Sequence, residues 1–315
     1  MFTDYRRLKQ KIIIIVGPTG IGKTALSLSL AERLDAEIVA ADSVQVYRYL
    51  DIGSAKPTAE EQARVPHHLI DVVNPDEDFS AGQYRQEAQQ SIERIIIRGK
   101  PVIVSGGTGL YVKALTRGLV AQTGGTQATR QELRERVATQ GKGSLFEELK
   151  RVDPDSARRI HPNDTFRIIR ALEVYCETGV PISQYRAGHD FKESPYNCLQ
   201  IGMTLDRAEL YRRINERCDR MITLGFPEEV RWLLYRGYHC SLKSMQTLGY
   251  RHLCSWLEGK LPLEEAVQTM KRDTRRYAKR QMTWFGSDPT IIWFDDAQNR
   301  LGEIETVAKR FLTGT

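Results

Sequence analysis

The stretch "KIIIIVGPTGIGKTALSLSLAERL", Lys11 to Leu34, decides the fold. Ile12 to Val16 is a run of β-branched aliphatic residues too short for a helix, which predicts a strand buried in a parallel sheet. A glycine-rich turn follows at once, and Ala25 to Leu34 then carries helical periodicity. Within the turn, Gly17, Gly22, Lys23 and Thr24 fit G-x-x-x-x-G-K-[ST], the pattern of nucleotide- and ATP-binding loops, in the strand-loop-helix context that gives the pattern its meaning. Glycines let backbone N–H groups converge on anionic oxygens, and the helix N-terminus adds its positive dipole. Lys23 supplies a mobile cation, and the Thr24 hydroxyl can coordinate Mg²⁺. Gly17, Pro18, Thr19, Gly20, Ile21, Gly22, Lys23 and Thr24 are therefore the expected phosphate-binding residues.

Such a loop does not say whose phosphates it holds, since the β,γ-phosphates of ATP and the diphosphate of another metabolite look alike to it. An ATP-hydrolysing protein normally carries a metal-binding aspartate after a second apolar strand, but "PVIVSGGTGLY" places Ser105 there. The candidate aspartates are Asp42, after "AEIVAA", and Asp71, after "HHLI". Asp42 emerges at the carboxyl edge of the sheet, where ligands bind in open α/β folds, with Ser43 and Gln45 behind it. A carboxylate and a nearby amide can hold a nucleobase edge and take a proton from it. A helix N-cap or a metal ligand is the competing assignment for Asp42.

Further strands are expected at Ile38 to Ala41, Leu69 to Val73, Val102 to Val104, Leu199 to Leu205 and "TIIWF", with a long helix from Ala81 to Arg98. Strands alternating with helices imply an α/β fold. After Gly118 comes the aperiodic "GLVAQTGGTQATR", and from Gln131 to about Tyr185 the sequence reads as helix throughout. The expected architecture is a P-loop core with a parallel β-sheet flanked by helices, plus an inserted all-helical domain. Its divisions are residues 1–118, 119–196 and 197–315. No internal repeat suggests a solenoid.

At 315 residues and 41% apolar composition the chain can bury a large core. No apolar run approaches the ~20 residues of a membrane span and no signal peptide is evident, so the protein is expected in the cytoplasm. Five cysteines lie far apart without a CxxC pair, which reads as free thiols with neither disulfide framework nor zinc site. A net charge of +6 suits a partner rich in phosphate. Basic residues concentrate at Arg130, Arg134, Arg136, Lys142, Lys150, Arg151, Arg158 and Arg159 in the helical insertion. They recur at Lys271, Arg272, Arg275, Arg276, Lys279 and Arg280 along one helical stripe. Such runs are commonly solvated faces.

The combination of "GPTGIGKTALSLSLAERL", "ADSVQVYRYLDIGSAKPTAEE", "VPHHLIDVVNPDEDFSAGQYR", "GKPVIVSGGTGLYVKAL", "VDPDSARRIHPND", "IIRALEVYCETGVPIS", "LGYRHL" and "RRYAKRQMTWF" resembles the bacterial tRNA dimethylallyltransferases, the tRNA isopentenyltransferase family. The similarity runs in order from about Lys11 to Phe285, and "DSVQVYR" with "SGGTGLY" and "IHPND" is its most specific part. The resemblance implies transfer of the dimethylallyl group from its diphosphate to N6 of adenosine 37, in tRNAs reading codons that start with U. The loop would hold the donor's diphosphate with Mg²⁺ near Thr24, and no ATP would be consumed. It further implies Arg217 closing on the diphosphate, Asp42 as the base, and Thr108 beside the acceptor. Contacts to tRNA would come from Asp42, Ser43, Val44 and Gln45, from Thr108 and Arg134, and from Phe166, Arg167, Ile168, Ile169 and Arg170. The last such segment is Gln246, Thr247, Leu248, Gly249, Tyr250 and Arg251.

Two positions depart from the family pattern: Phe166 stands where glutamine is usual, and Gly286 replaces a frequent arginine. With no Cys or His after Phe285, the zinc-free bacterial form is the better match, acting as a monomer on the anticodon stem-loop with its A36-A37-A38 run. Two other readings of the loop remain: a nucleotide or small-metabolite kinase with Asp42 activating a hydroxyl, and an RNA-binding P-loop protein whose nucleotide acts as a switch. Both require nucleotide binding, whereas the transferase requires affinity for dimethylallyl diphosphate.

Overall fold

The computed structural model describes residues 9–119, 127–188, 194–297 and 299–314, without the side chains of 127, 142, 186 and 188. Six strands form one parallel sheet: β1 (Gln10–Val16), β2 (Glu37–Ala40), β3 (His67–His68), β4 (Val102–Gly106), β5 (Tyr196–Thr204) and β6 (Ile291–Asp295). Their order is β3-β2-β4-β1-β5-β6. As its aliphatic run requires, β1 lies inside the sheet with Ile12 to Val16 fully buried, and Ile14 sits between Val104 of β4 and Gln200 of β5. Each such isoleucine contributes about 1.5–3 kcal/mol by leaving water.

Parallel strands deliver their following loops to one edge of the sheet. Because β4 lies between β2 and β1, the chain leaving β2 at Asp42, the chain leaving β4 at Gly106 to Thr108, and the phosphate loop leaving β1 are neighbours in that order. The P-loop α/β fold expected from the sequence is the fold observed.

Fourteen helices are described: α1 (Lys23–Leu34), α2 (Ala59–Arg64), α3 (Ala81–Ile97), α4 (Gly109–Arg117), α5 (Gln127–Gln140), α6 (Lys142–Val152), α7 (Pro154–Arg159), α8 (Thr165–Thr178), α9 (Ile182–Gly188), α10 (Arg207–Thr223), α11 (Phe226–Tyr235), α12 (Tyr250–Leu257), α13 (Leu263–Gly286) and α14 (Leu301–Thr313). The long α3 starts with a capping box, in which Ser80 accepts the Gln83 N–H and Gln83 accepts the Ser80 N–H. In contrast, α1 starts from Gly22 at φ 102° with no side-chain cap, so its first N–H groups remain available to an anion. No helix among the described residues is long and apolar enough to cross a membrane.

The chain divides into two compact units, Met1–Thr116 with Pro195–Thr315, and Arg117–Ser194. The second is all helix, α5 to α9, around Leu133, Leu145, Leu149, Ile168, Leu172 and Val174. Within it Asp164 caps α8 by accepting the Arg167 N–H, and Gly179 ends the helix in the left-handed region at φ 68°.

Two expectations need correction. The strand at Leu69 to Val73 is instead the two-residue β3 at His67–His68, because Leu69 and Asp71 adopt φ of 65° and 56° and turn the chain out of the sheet. The apolar run reflects turn packing, with the N–H groups of Val72 and Val73 both donating to the Val46 carbonyl. The five cysteines are not all thiols: Cys240 and Cys254 form a disulfide, leaving Cys176, Cys198 and Cys218 free. Folding of the 240–249 turn back onto α12 brings their Cα atoms to 5.8 Å, a proximity that sequence spacing does not signal.

Candidate active site

In the phosphate loop the Lys23 ammonium donates to the carbonyls of Gly17 (3.0 Å) and Pro18 (2.9 Å). Burial strips water from this ammonium and lowers its pKa to about 8; the Arg217 guanidinium pushes the same way and Asp42 opposes. Arg217 reaches the loop because α10 packs on it, so closely that a Cβ at Gly20 would lie 2.9 Å from Ile214 Cγ1. Ile214 and Arg217 are three residues apart and share that helix face. Burial also lowers the Arg217 pKa, with Asp42 again opposing. Among the described residues Arg217 makes no hydrogen bond or ion pair. Two cations thus crowd the loop, and Asp42 is a carboxylate whose charge reaches both.

Asp42 follows β2, where the Ala41 N–H still donates to the Ser105 carbonyl of β4 at 2.8 Å. Its Oδ1 accepts the N–H groups of Val44 (2.8 Å) and Gln45 (3.3 Å), closing a turn that aims the residue along the sheet edge. Ser43 is held by Thr108, whose Oγ1 accepts the Ser43 N–H at 3.0 Å and donates to Ser43 Oγ at 3.3 Å. Gln45 donates its amide to the carbonyls of Ala55 (3.2 Å) and Ser54 (3.4 Å), anchoring the following loop. Asp71, the rival aspartate, instead accepts from Lys56 at 2.6 Å. Ser105, at the strand end where a metal-binding carboxylate would be expected, receives a hydrogen bond from Ser27 of α1 at 2.6 Å.

Three glycines bring these loops together. A Cβ at Gly106 would lie 2.1 Å from the Ala41 carbonyl oxygen, at Gly107 2.3 Å from Gln281 Nε2, and at Gly109 2.2 Å from Trp284 Nε1. Gln281 and Trp284 belong to α13, as does Tyr277, whose phenol lies near Thr108 and Asp42. Burial first, then the nearby Asp42, push the Tyr277 phenol up to about 12. Sequence reasoning assigned α13 to charge and missed Tyr277 and Gln281. The available signal was a glutamine four residues after a tyrosine on the helix face that also buries Ala278 and Phe285.

The residues expected against tRNA separate by exposure. Arg134 and Phe166 are exposed, Phe166 at 78%, and Arg167 pairs with Asp164 at 3.3 Å. Ile168 and Ile169 are buried in the helical core, and Arg170 pairs with Glu173 at 3.1 Å. Gln246 is exposed and donates to the Cys240 carbonyl, while Thr247 donates to that of Ser244 and Leu248 is partly buried. Gly249 has φ 90° and abuts Phe226; Tyr250 is fully buried with its hydroxyl on Glu229 at 2.7 Å. Arg251 pairs with Asp273 at 2.7 Å.

The basic stripe on α13 is likewise divided. Lys271 pairs with Asp219 and Arg275 donates to Asn215, both on α10, while Arg272 and Arg276 approach Asp273. Lys279 and Arg280 are exposed without an ion pair to any described residue, Arg280 lying over the Tyr277 ring. In the helical unit Arg130, Arg136, Lys150 and Arg158 pair with Glu173, Glu148, Glu147 and Asp155, leaving Arg134, Arg151 and Arg159 without ion pairs among the described residues. The Lys142 side chain lies outside the described residues.

Fold and site together define a P-loop α/β protein in which a phosphate loop, two cations without ion pairs among the described residues and a strand-end carboxylate share one sheet edge. The family model for IPP transferase matches residues 45–288. A Geotalea uraniireducens protein named tRNA dimethylallyltransferase 2 is 54% identical over 287 residues, covering 91% of this chain and 93% of its own. The solved full-length tRNA isopentenylpyrophosphate transferase of Bacillus halodurans superposes with a TM-score of 0.73 at 41% identity, over 97% of this chain and 98% of that one. A eukaryotic dimethylallyltransferase acting on tRNA superposes at 0.82 with 27% identity, over 97% and 80% respectively. The chain belongs to the IPP transferase family.

Proposed function

We propose that this protein transfers the dimethylallyl group from dimethylallyl diphosphate to N6 of adenosine 37 in tRNAs that read codons starting with U. The products are N6-isopentenyladenosine and diphosphate, and no ATP is consumed. The observation that carries the reading is the electrostatic arrangement at the sheet edge: Lys23 and Arg217 stand at the phosphate loop with no carboxylate of the described residues bonded to either, and Asp42 lies within electrostatic reach of both. Like charges in that position are costly unless an anion arrives between them.

As the allylic C–O bond breaks, its electron pair moves onto the diphosphate, and the loop N–H groups, Lys23 and Arg217 stabilise the growing charge. N6 bonds to the allylic carbon and gives its proton to Asp42, whose Oδ1 remains held by the Val44 and Gln45 N–H groups. Thr108, hydrogen-bonded to Ser43, orients the acceptor base.

Mg²⁺ fits the loop in one specific way. No cluster of three or more His, Cys, Asp or Glu exists among the described residues, while the Thr24 hydroxyl makes no hydrogen bond there, so the ion would be held by donor phosphates with Thr24 as its protein ligand. Bound there, it would add positive charge against the departing diphosphate.

Adenosine 37 must leave its stack to reach a sheet-edge site, so the RNA needs a broad grip. Candidates are Arg134, Phe166 and Arg167 in the helical unit, and Gln246, Arg251, Lys279 and Arg280 in the other. Exposed Phe166 suits stacking in place of the more usual hydrogen bond. We place the protein in the cytoplasm as a monomer. The test is mass spectrometry of nucleosides from an unmodified tRNA with an A36-A37-A38 loop, incubated with protein, Mg²⁺ and dimethylallyl diphosphate without ATP. One isopentenyl unit gained on adenosine is the expected outcome. No gain, with ATP turnover when ATP is supplied, moves the kinase reading to the front.

A further inference from the structure

Gln281 is a neutral, buried side chain inside the helix that sequence assigned to charge. Its Oε1 accepts the Thr19 N–H of the phosphate loop at 2.8 Å, and its Nε2 donates to the Gly107 carbonyl, also at 2.8 Å. One planar amide therefore ties together the loop after β1 and the loop after β4. Gly107 accommodates it, since any Cβ there would sit 2.3 Å from Nε2. Next to Gly107 stands Thr108, which holds Ser43 beside Asp42. One helical turn before Gln281, Tyr277 reaches the same Thr108; three residues after it, Trp284 lies against Gly109.

We infer that Gln281 is a positioning residue that sets the distance between the donor half of the site, at the phosphate loop, and the acceptor half, at Thr108 and Asp42. The inference rests on the reading of those two halves given above. Neither substrate needs to touch Gln281 for this role, because both of its polar ends are already occupied by backbone. Each half keeps its own binding groups when the tie is cut, so substrate affinities survive. What is lost is the mutual placement of allylic carbon and N6, and misplacement by about 1 Å costs on the order of 100-fold in rate.

The side chain's two bonds can be cut separately. Gln281→Met fills similar volume and removes both, whereas Gln281→Glu keeps an acceptor for Thr19 and loses the donor to Gly107. Single-turnover transfer at saturating tRNA and donor is expected to fall about 100-fold in Gln281→Met, with the donor KM and the tRNA Kd within about 3-fold of the parent. Gly107→Ala, which pushes on Nε2 from the other side, is expected to give the same split between kcat and KM. In a Gln281→Ala background, where the Cβ finds room, Gly107→Ala is expected to add less than 3-fold. Unchanged kcat in Gln281→Met, or parallel loss of kcat and both affinities, overturns the positioning role. Additive losses from Gly107→Ala and Gln281→Ala overturn it too. Should Gln281→Met not fold, Gln281→Glu and Gly107→Ala decide by the same split. If the parent enzyme itself transfers nothing, the reading of the site fails; if the parent transfers and the variants match it, the tie alone fails.

Discussion

Arg217 and Arg130 are the same side chain on two helices, treated oppositely. On α5, Arg130 donates to the fully buried carboxylate of Glu173 at 2.8 Å, which Arg170 also engages. On α10, Arg217 is pressed toward Lys23 and makes no ion pair among the described residues. A paired arginine holds a fold together, while an unpaired one beside another cation opposes it and persists where an anion is to be bound. On the proposed reading, the difference separates positive charge kept for a ligand from positive charge consumed by the structure.

The sharpest way to break that contrast is to neutralise Arg217. Arg217→Gln is expected to cut transfer by about 10²–10³, the usual cost of losing one preorganised donor to a developing anion. Its thermal midpoint is expected to stay level or rise, because the burial penalty on the guanidinium and its repulsion with Lys23 are removed, offsetting the lost attraction to Asp42. Near-normal turnover, or a large fall in melting temperature, would place Arg217 with Arg130 among the structural charges.

Next in size is a pH effect. Lys23 ionises at about 8, below its ordinary 10.5, so between those values the folded state holds fewer protons than the unfolded and this group's contribution to stability rises with pH. Diphosphate binding needs the protonated form, so donor affinity is expected to fall above pH 8, by at most tenfold per unit. In Arg217→Gln the inflection in donor KM is expected to move upward, since the second-largest influence lowering the Lys23 pKa is gone. An inflection that stays in place would mean that the two cations do not sense each other.

A smaller effect concerns the surface charges that resemble Arg217 in making no ion pair to a described residue. Glu substitution of both Lys279 and Arg280 is expected to weaken tRNA binding and reduce the log–log salt slope by roughly 0.7–0.9 for each phosphate no longer neutralised, with donor KM unchanged. The same change at Arg275 is expected to damage folding, because that side chain holds Asn215 of α10 at 2.6 Å. Equal salt slopes for parent and variant would return Lys279 and Arg280 to the solvated face.

How much of this was legible follows from where the information sits. The phosphate loop could be read because its chemistry is local: strand, glycines, Lys23 and Thr24 are contiguous, and the β-branched run before them permits one kind of strand. Asp42 could be found as an apolar strand's acidic exit. The structure shows one oxygen of Asp42 capping a turn through the Val44 and Gln45 N–H groups, as the competing assignment expected, while its charge reaches Lys23 and Arg217, on which the proposed role in the site draws. Gln281 and Tyr277 were illegible because their partners lie more than 150 residues away and depend on the strand order β2-β4-β1. For the same reason a count of basic residues does not say which of them are paired, since a sequence shows cations and carboxylates but not which of them meet.

The smallest effect tests the other side of the contrast. Glu173 is fully buried, yet the arginines that bind it are 41% and 36% exposed, so water can solvate both guanidinium groups when the carboxylate is neutralised. Removing one member of a wholly buried pair costs about 3–5 kcal/mol, whereas a pair with one wet partner should cost less. Glu173→Gln keeps the volume and a carbonyl acceptor, and is expected to lower stability by about 1–2 kcal/mol without altering the donor KM. A loss of that size, read by urea unfolding, means that Arg130 and Arg170 are held by the helical unit's own core. No loss means that Arg130 can leave Glu173 at little cost, and it then belongs with Arg134, which makes no ion pair among the described residues, as a charge available to RNA.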